Sequence, residues 1–363
     1  MKLLRAMYVN PWMRGLGVLA TLVVTLLVLW WRGPEWDTVY DAFASVTWRW
    51  VLLAVLLNLL SVGVRAWAWN LTIHQAIPEP QPGFRNVFSA FGVGLLGNAV
   101  LPARAGELAR VAVLRGHLPE GTGAGAKLLG TVFAHRVFDI FPIALLVVYV
   151  LLTAKLPHWA VTGIVVVGLV GLGLLTVAML SARRAGTEPV HGQTARRLLA
   201  MARQGLAVLR VPSAAIAAIL CQIAGWTLQL LAVWAATAAF DLDVPLPAAA
   251  LVLLLMNIAT IFPLWPGNVG LLQAAVAFPL AQYGVPYGTG FAYGLVLQAI
   301  EMSVGVGVGL VMLAREGLSF AALKRMEEEE EEEAEELVDD AVAAPEGEAD
   351  DREPVLTEGR ARR

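Results

Sequence analysis

Arg104, Glu107 and Arg110 fall at i, i+3 and i+6 within residues 95–115, LLGNAVLPARAGELARVAVLR. On a helix that spacing gathers two guanidinium groups and a carboxylate on one face. Such a set suits a phosphate-bearing anion, because the planar fork of Arg donates two hydrogen bonds to phosphate and a carboxylate can orient it. The surrounding sequence is strongly apolar. Near a bilayer centre a single Arg or acid costs about 2.5–3.5 kcal/mol, so charges kept there are candidates for function. The plainer alternative is an amphipathic helix with an intrahelical ion pair. Asn98, Pro102 and Gly106 share the stretch. Pro102 has no N–H and clashes with the preceding turn. With Gly94 and Gly97 it is expected to interrupt a helix, and a second short helix is expected from about Ala103. The free N–H groups and positive dipole end of that helix, beside Arg104, would favour an anion.

Further charges lie inside apolar runs. His135, Arg136 and Asp139 are spaced to meet on one helix face. They read either as a proton-coupling site, since His titrates near neutral pH, or as a neutralised structural cluster packed on Glu107 or Arg110. Glu301 stands in an otherwise uncharged run, able to pair with Arg104 or Arg110 or to face the interior protonated. Pro263, Pro266, Gly267, Asn268 and Gly270, followed by Gln273, mark a second break, which either turns backbone polar groups toward a cavity or forms a tight loop. No P-loop, metal-spaced His/Cys cluster or Ser nucleophile motif is visible. Neither an enzyme, a cofactor nor a metal is expected.

These residues need elements to hold them. The chain has 363 residues, 58% hydrophobic and 15% charged, with 12 Trp and 34 Gly. Soluble domains carry about 25% charge, and long charge-free runs recur, so a polytopic membrane protein is expected. The net charge of −3 divides unevenly. Residues 324–363 hold 17 of the 29 acids against 6 of the 26 bases, a net of −11, which leaves +8 on residues 1–323. The chain is therefore read as a membrane domain over 1–323 and a disordered acidic cytoplasmic tail over 324–363. The lone Cys221 excludes an internal disulfide.

Six full spans are expected at about 15–31, 50–69, 126–153, 159–181, 212–240 and 287–314, with broken re-entrant hairpins at 86–115 and 247–283. Residues 70–85 and 32–49 read as loops, and 182–211, with six Arg, as a basic surface segment. Basic loops at 1–14, 70–127 and 182–211 put both termini in the cytoplasm, in the inner membrane. The Gly-rich runs around Gly163, Gly168, Gly171 and Gly173, and around Gly305, Gly307 and Gly309, read as close-packing faces. The stretch NAVLPARAG at 98–106 has an echo in NIATIFPLWPG at 257–267, with Pro102 and Pro263 in register. The two enter from opposite sides, the pattern of an inverted-repeat transporter whose broken helices meet near the midplane.

The LPAR-GELARV-VLR pattern at 101–115 and the P-PGNVG-LQA pattern at 263–274 resemble the transmembrane region of lysylphosphatidylglycerol synthases, and more closely the stand-alone flippase-like proteins that share it. The similarity extends over about residues 10–320. It implies lipid handling rather than aminoacylation, because no soluble transferase domain follows. Members often carry Glu where Gln273 stands and Arg near Gln298. The function expected is translocation of an anionic phospholipid or polyprenyl-phosphate lipid. The site expected comprises Asn98, Pro102, Arg104, Gly106, Glu107, Arg110, Arg136, Asp139, Pro263, Gly267, Gln273 and Glu301. The alternatives are a transporter of a small soluble anion and a non-transporting accessory protein of an envelope-lipid pathway. The partners expected are the bilayer, an anionic head group, and a second copy or envelope-lipid enzymes; nothing points to nucleic acid.

Overall fold

The computed structural model describes residues 34–77, 80–100, 106–119, 124–156, 161–162, 211–260 and 268–322, with 23, 173 and 325 singly. The described residues are helical, with no strand among them. In chain order the helices are α1 (Trp36–Ala44), α2 (Trp48–Ala76), α3 (Phe84–Val100), α4 (Gly106–Arg115), α5 (Ala124–Phe138), α6 (Ile140–Thr153), α7 (Pro212–Ala239), α8 (Leu246–Ala259), α9 (Leu271–Ala281) and α10 (Tyr287–Arg315).

By length and composition, α2, the joined α5–α6 over Lys127–Thr153, α7 and α10 are able to cross a bilayer. A helix of 29 residues such as α2 or α10 extends about 43 Å at 1.5 Å per residue, beyond the roughly 30 Å hydrocarbon core. Their outward faces are apolar: Leu52, Leu56 and Leu60 on α2, Leu145, Val148 and Leu152 on α6, and Leu310 and Val311 on α10 are exposed. Their inward faces carry small and polar residues, including Ala54, Ser61, Ala66, Ala218, Gln222 and Gly225. That distribution suits a solvent of lipid tails, where packing and hydrogen bonds, not apolar burial, hold helices together. The expected spans at 15–31 and 159–181, the basic segment 182–211 and the acidic tail lie outside the described residues except at 23, 161–162, 173, 211 and 325.

Two apolar clusters build the bundle. One joins α1, the start of α2, α6, α7, α8, α9 and most of α10. The other joins the rest of α2 with α3, α4, α5 and the end of α10. The most extensive helix contact is α2 against α7, closed by Ser61 Oγ donating to the Gly225 carbonyl at 2.8 Å. Two pairs of shorter helices pack on each other, α3 with α4 and α8 with α9. Residues 101–105 and 261–267, between the partners, lie outside the described residues. Asn268, at φ 48°, donates to the Ala259 carbonyl at 3.2 Å and so ties the start of α9 to the end of α8.

Several sequence expectations change. Gly94 and Gly97 do not interrupt a helix, since α3 runs through both to Val100. They are the points where α3 and α4 touch backbone to backbone. A Cβ on Gly97 would lie 2.7 Å from Gly106 Cα, one on Gly94 would lie 2.8 Å from the Gly106 carbonyl oxygen, and one on Gly106 would strike the Gly94 carbonyl. Residues 70–76 are not a loop. Hydropathy drops after Trp69, but α2 continues because Trp69, Asn70, Thr72 and Ile73 are buried by its neighbours. Arg65 thereby moves from the edge of a span to its interior. Residues 36–44 form α1, with Val39 and Ala42 turned inward and Trp36, Tyr40 and Phe43 outward, the face expected of an interfacial helix. The 126–153 span is interrupted at Asp139. Pro142 there cannot donate to the carbonyl four residues earlier, the usual cause of such a kink. Gly309 packs closely, with its Cβ position 2.8 Å from the Gly92 carbonyl, but Gly305 and Gly307 meet no described atom within 4 Å.

At the far end of α10, Glu316 accepts a hydrogen bond from Ser89 on α3 and pairs with His117 Nε2 at 3.2 Å. The other ring nitrogen of His117 lies 3.0 Å from the Val113 carbonyl. This end clasp joins α3, α4 and α10.

Candidate functional site

Five charged side chains form a continuous chain across three helices and the α5–α6 junction. Arg110 Nη2 lies 2.5 Å from Glu107 Oε2 on α4. Glu107 Oε1 pairs with Arg136 Nη2 on α5. Arg136 Nη1 reaches Asp139 Oδ2 at 3.4 Å, and Asp139 Oδ1 faces Arg65 Nη2 on α2 at 3.5 Å. Three guanidinium groups thus share two carboxylates, leaving one positive charge over. Arg110 is 3% exposed and Asp139 5%, whereas the Arg136 side chain is 43% exposed, so the cluster runs from the interior of the bundle to its surface.

Local structure explains each position. Asp139 stands at the junction of α5 and α6, and its carboxylate meets α7. There Gln222 Nε2 donates to it at 3.0 Å, as does Trp226 Nε1 at 3.0 Å. Gln222 Nε2 also lies 3.3 Å from His135 Nε2. His135, expected to meet Asp139 directly, is bridged to it through Gln222 and stands edge-on to Phe91. Arg65 runs past Gly225, whose Cβ position is 2.6 Å from Arg65 Cγ, and its guanidinium lies 5.8 Å from the Trp226 ring centroid. Arg110 lies 4.6 Å from the Trp69 centroid and 5.7 Å from that of Phe91. Aromatic faces hold a guanidinium by cation–π attraction while leaving its edge donors unused.

That edge is unsatisfied. Arg110 Nε and Nη2 have no hydrogen-bond partner among the described residues, the close approach to Glu107 being misaligned for one. Of ten such buried side-chain atoms, seven belong to this neighbourhood: on Arg65, Asn98, Glu107, Arg110 (two), His135 and Gln222. Two of the seven, Glu107 Oε2 and Arg110 Nη2, face each other at 2.5 Å; the others are groups that ordinarily pair with protein, water or an ion. Asn98 Oδ1 sits 2.8 Å from the position a Gly106 Cβ would take, at the α3–α4 contact beside residues 101–105.

The structure therefore joins Glu107, Arg110, Arg136 and Asp139, with Asn98 and Gly106 at their edge. Glu301 is not part of this group. Arg110 pairs with Glu107, and Glu301 accepts from Gln229 Nε2 on α7 at 3.3 Å. Pro102, Arg104, Pro263, Pro266 and Gly267 lie outside the described residues. Sequence reading passed over Arg65, Gln222, Trp226 and Trp69. Arg65 and Gln222 carried a signal, as isolated polar residues within long apolar runs; the two Trp did not.

Gln273 belongs to a different contact. Its Oε1 accepts from the Gly270 N–H at 2.5 Å and its Nε2 donates to Gln298 Oε1 at 2.6 Å, with Gly294 on α10 allowing α9 this close. The two positions at which the chain departs from the pattern of its resemblance are hydrogen-bonded to each other. Gln273→Glu alone is expected to bury an unpaired carboxylate and lower stability by about 3–5 kcal/mol. Gln273→Glu with Gln298→Arg should recover most of it, read as the unfolding midpoint in detergent. A double variant no better than the single would mean the pair is not coupled.

The family model described as the lysylphosphatidylglycerol synthase TM region matches residues 17–309. The UPF0104 membrane protein PH1989 of Pyrococcus horikoshii is 24% identical over 166 residues, which is 45% of this chain and 48% of that protein. The alignment thus spans about half the length of that relative. No solved structure matches.

Proposed function

The chain belongs to the family of the lysylphosphatidylglycerol synthase transmembrane region, a helical membrane protein, and from that premise we propose that it translocates an anionic lipid whose phosphate head group is held by the arginines of α2 and α4. The observation that carries this reading is Arg110. It is buried and set between Trp69 and Phe91; among the described residues its Nε has no hydrogen-bond partner, and its Nη2 has only the misaligned approach of Glu107 Oε2. A phosphate oxygen would supply the acceptors those donors need, and the one surplus positive charge of the cluster would meet a negative one. Asp139 pairs with Arg65, and Glu107 faces Arg110 at Nη2, so a phosphate would share that nitrogen with Glu107 and have Nε to itself. Arg104, a few residues before α4, adds a further cation to the same stretch. In this reading 101–105 and 261–267 are the breaks of two re-entrant hairpins related as an inverted repeat. The acyl tails stay in lipid while the head group crosses between them, and both termini are cytoplasmic.

The test is reconstitution in liposomes bearing fluorescent lipids of different head groups. At least one anionic lipid should change leaflet faster than in empty liposomes, and Arg104→Ala should slow it. Uptake of a small soluble anion with no lipid movement, or movement of neither, would overturn the reading.

A further inference from the structure

A second polar place lies away from the arginine cluster, between α2, α7 and α10. Asn58, Gln229 and Glu301 line a void with room for about one water molecule. The remaining walls are aliphatic, from Ala232 and Val233 on α7 and Leu297 and Ile300 on α10. Asn58 is 8% exposed, and its side chain makes no hydrogen bond among the described residues. Gln229 Nε2 donates to Glu301 Oε1, while Gln229 Oε1 is buried without a partner.

We propose that this void is a proton-binding site, with Glu301 as the group that carries the proton and Asn58 and Gln229 as its partners in both states. The donor set fits that ligand. Amide side chains both donate and accept, so they serve a carboxylate and a carboxylic acid alike. The ionised Glu301 accepts from Gln229 Nε2, as observed. The protonated form gains an O–H that can donate to Gln229 Oε1 or Asn58 Oδ1, the oxygens now without donors. One O–H bond forms on uptake from water and the same bond breaks on release, with no other group changed. A divalent cation fits poorly, since it takes about six or more oxygens and the void offers three side chains and one water.

One charge among the described residues acts on Glu301 from its surroundings, that of Arg65. On α2 the nearest facing cation is Arg65, two turns from Asn58 and paired to Asp139. On α7 the only titratable group is Cys221, two turns from Gln229. On α10 itself, Tyr293 donates its hydroxyl to the Val233 carbonyl at 2.7 Å. Helix α9 brings no titratable residue. Asp37, Tyr40 and Asp41 of α1 sit toward the start of α10, where Gly288 meets Thr38, and Arg85 of α3 sits toward its end, where its carbonyl accepts from Arg315.

As the driving ion of lipid movement, the proton rests on the function proposed above; as a binding site it stands alone. The deciding experiment is a pH titration of the full chain in lipid by infrared difference spectroscopy. Among the protonated-carboxyl bands that appear on acidification, one is expected to be lost in Glu301→Gln and to shift in frequency in Gln229→Leu, which keeps the carboxyl. Absence of any band removed by Glu301→Gln overturns the site, whatever the lipid assay shows. A band that responds to sodium at fixed pH overturns it in favour of a metal cation. Where lipid flux is measurable, a pH gradient should change its rate in wild type and not in Glu301→Gln; flux indifferent to the gradient in both overturns the coupling and leaves the binding site standing.

Discussion

Asp139→Leu is expected to destabilise the protein by about 3–5 kcal/mol, the cost of removing one partner from a buried ionic group. The carboxylate is shared by Arg65, Arg136, Gln222 and Trp226. Without it, three guanidinium groups face only Glu107, and two buried N–H donors lose their acceptor. Asp139→Asn separates the two losses. The amide oxygen can still accept from Gln222 and Trp226, so only the charge goes, and the penalty should be smaller. Arg65→Met in the Asp139→Leu background should recover part of the loss, because the uncompensated charge leaves with it. The measurement is the thermal unfolding midpoint of the purified protein in one detergent. Equal midpoints for Asp139→Leu and wild type would mean that the cluster does not hold the bundle.

Gly106→Val should be as damaging, for a steric reason. The α3–α4 contact has no room at this point: a Cβ on Gly106 would meet the Gly94 carbonyl, the Asn98 N–H and the Asn98 Oδ1. Overpacking typically costs about 1–3 kcal/mol, and here the two nearest obstacles are backbone atoms, which cannot rotate away. The expected outcome is loss of the monodisperse species on size exclusion. Gly305→Ala and Gly307→Ala are the controls, since no described atom lies within 4 Å of either and Ala favours a helix by up to about 1 kcal/mol over Gly. If Gly106→Val folds like those controls, the tight crossing is not what holds Glu107 and Arg110 in place.

The membrane class and the long helices were legible because apolar runs near the length of a bilayer admit few other readings. The pairing within α4 was legible too, because a spacing of three residues dictates it. What stayed hidden depends on distance in sequence. Glycines read alone suggest a helix break, and only the arrival of Gly106 makes Gly94 and Gly97 a packing face. Asp139 has the partner expected within its own turn, Arg136, but its other donors come from α2 and α7. Glu301 was open to either a cation or a protonated place in the interior, and the partner it meets is an amide from α7. Gln273 and Gln298 looked like two separate departures, and they are one contact. The segments around Pro102 and Pro263, on which the expected breaks depend, lie outside the described residues.

The central claim is that the buried arginines select a negative head group. It is tested most directly by the ratio of translocation rates for an anionic and a zwitterionic lipid in proteoliposomes, wild type against Arg110→Gln. Arg110→Gln removes the unsatisfied guanidinium, and Glu107 keeps Arg136 as its partner. The account predicts a wild-type ratio well above one, falling about tenfold or more in the variant. One strong charge-assisted hydrogen bond, about 1.5–3 kcal/mol, is enough for that change. A ratio unaltered by the substitution, in protein shown to be folded, would contradict it.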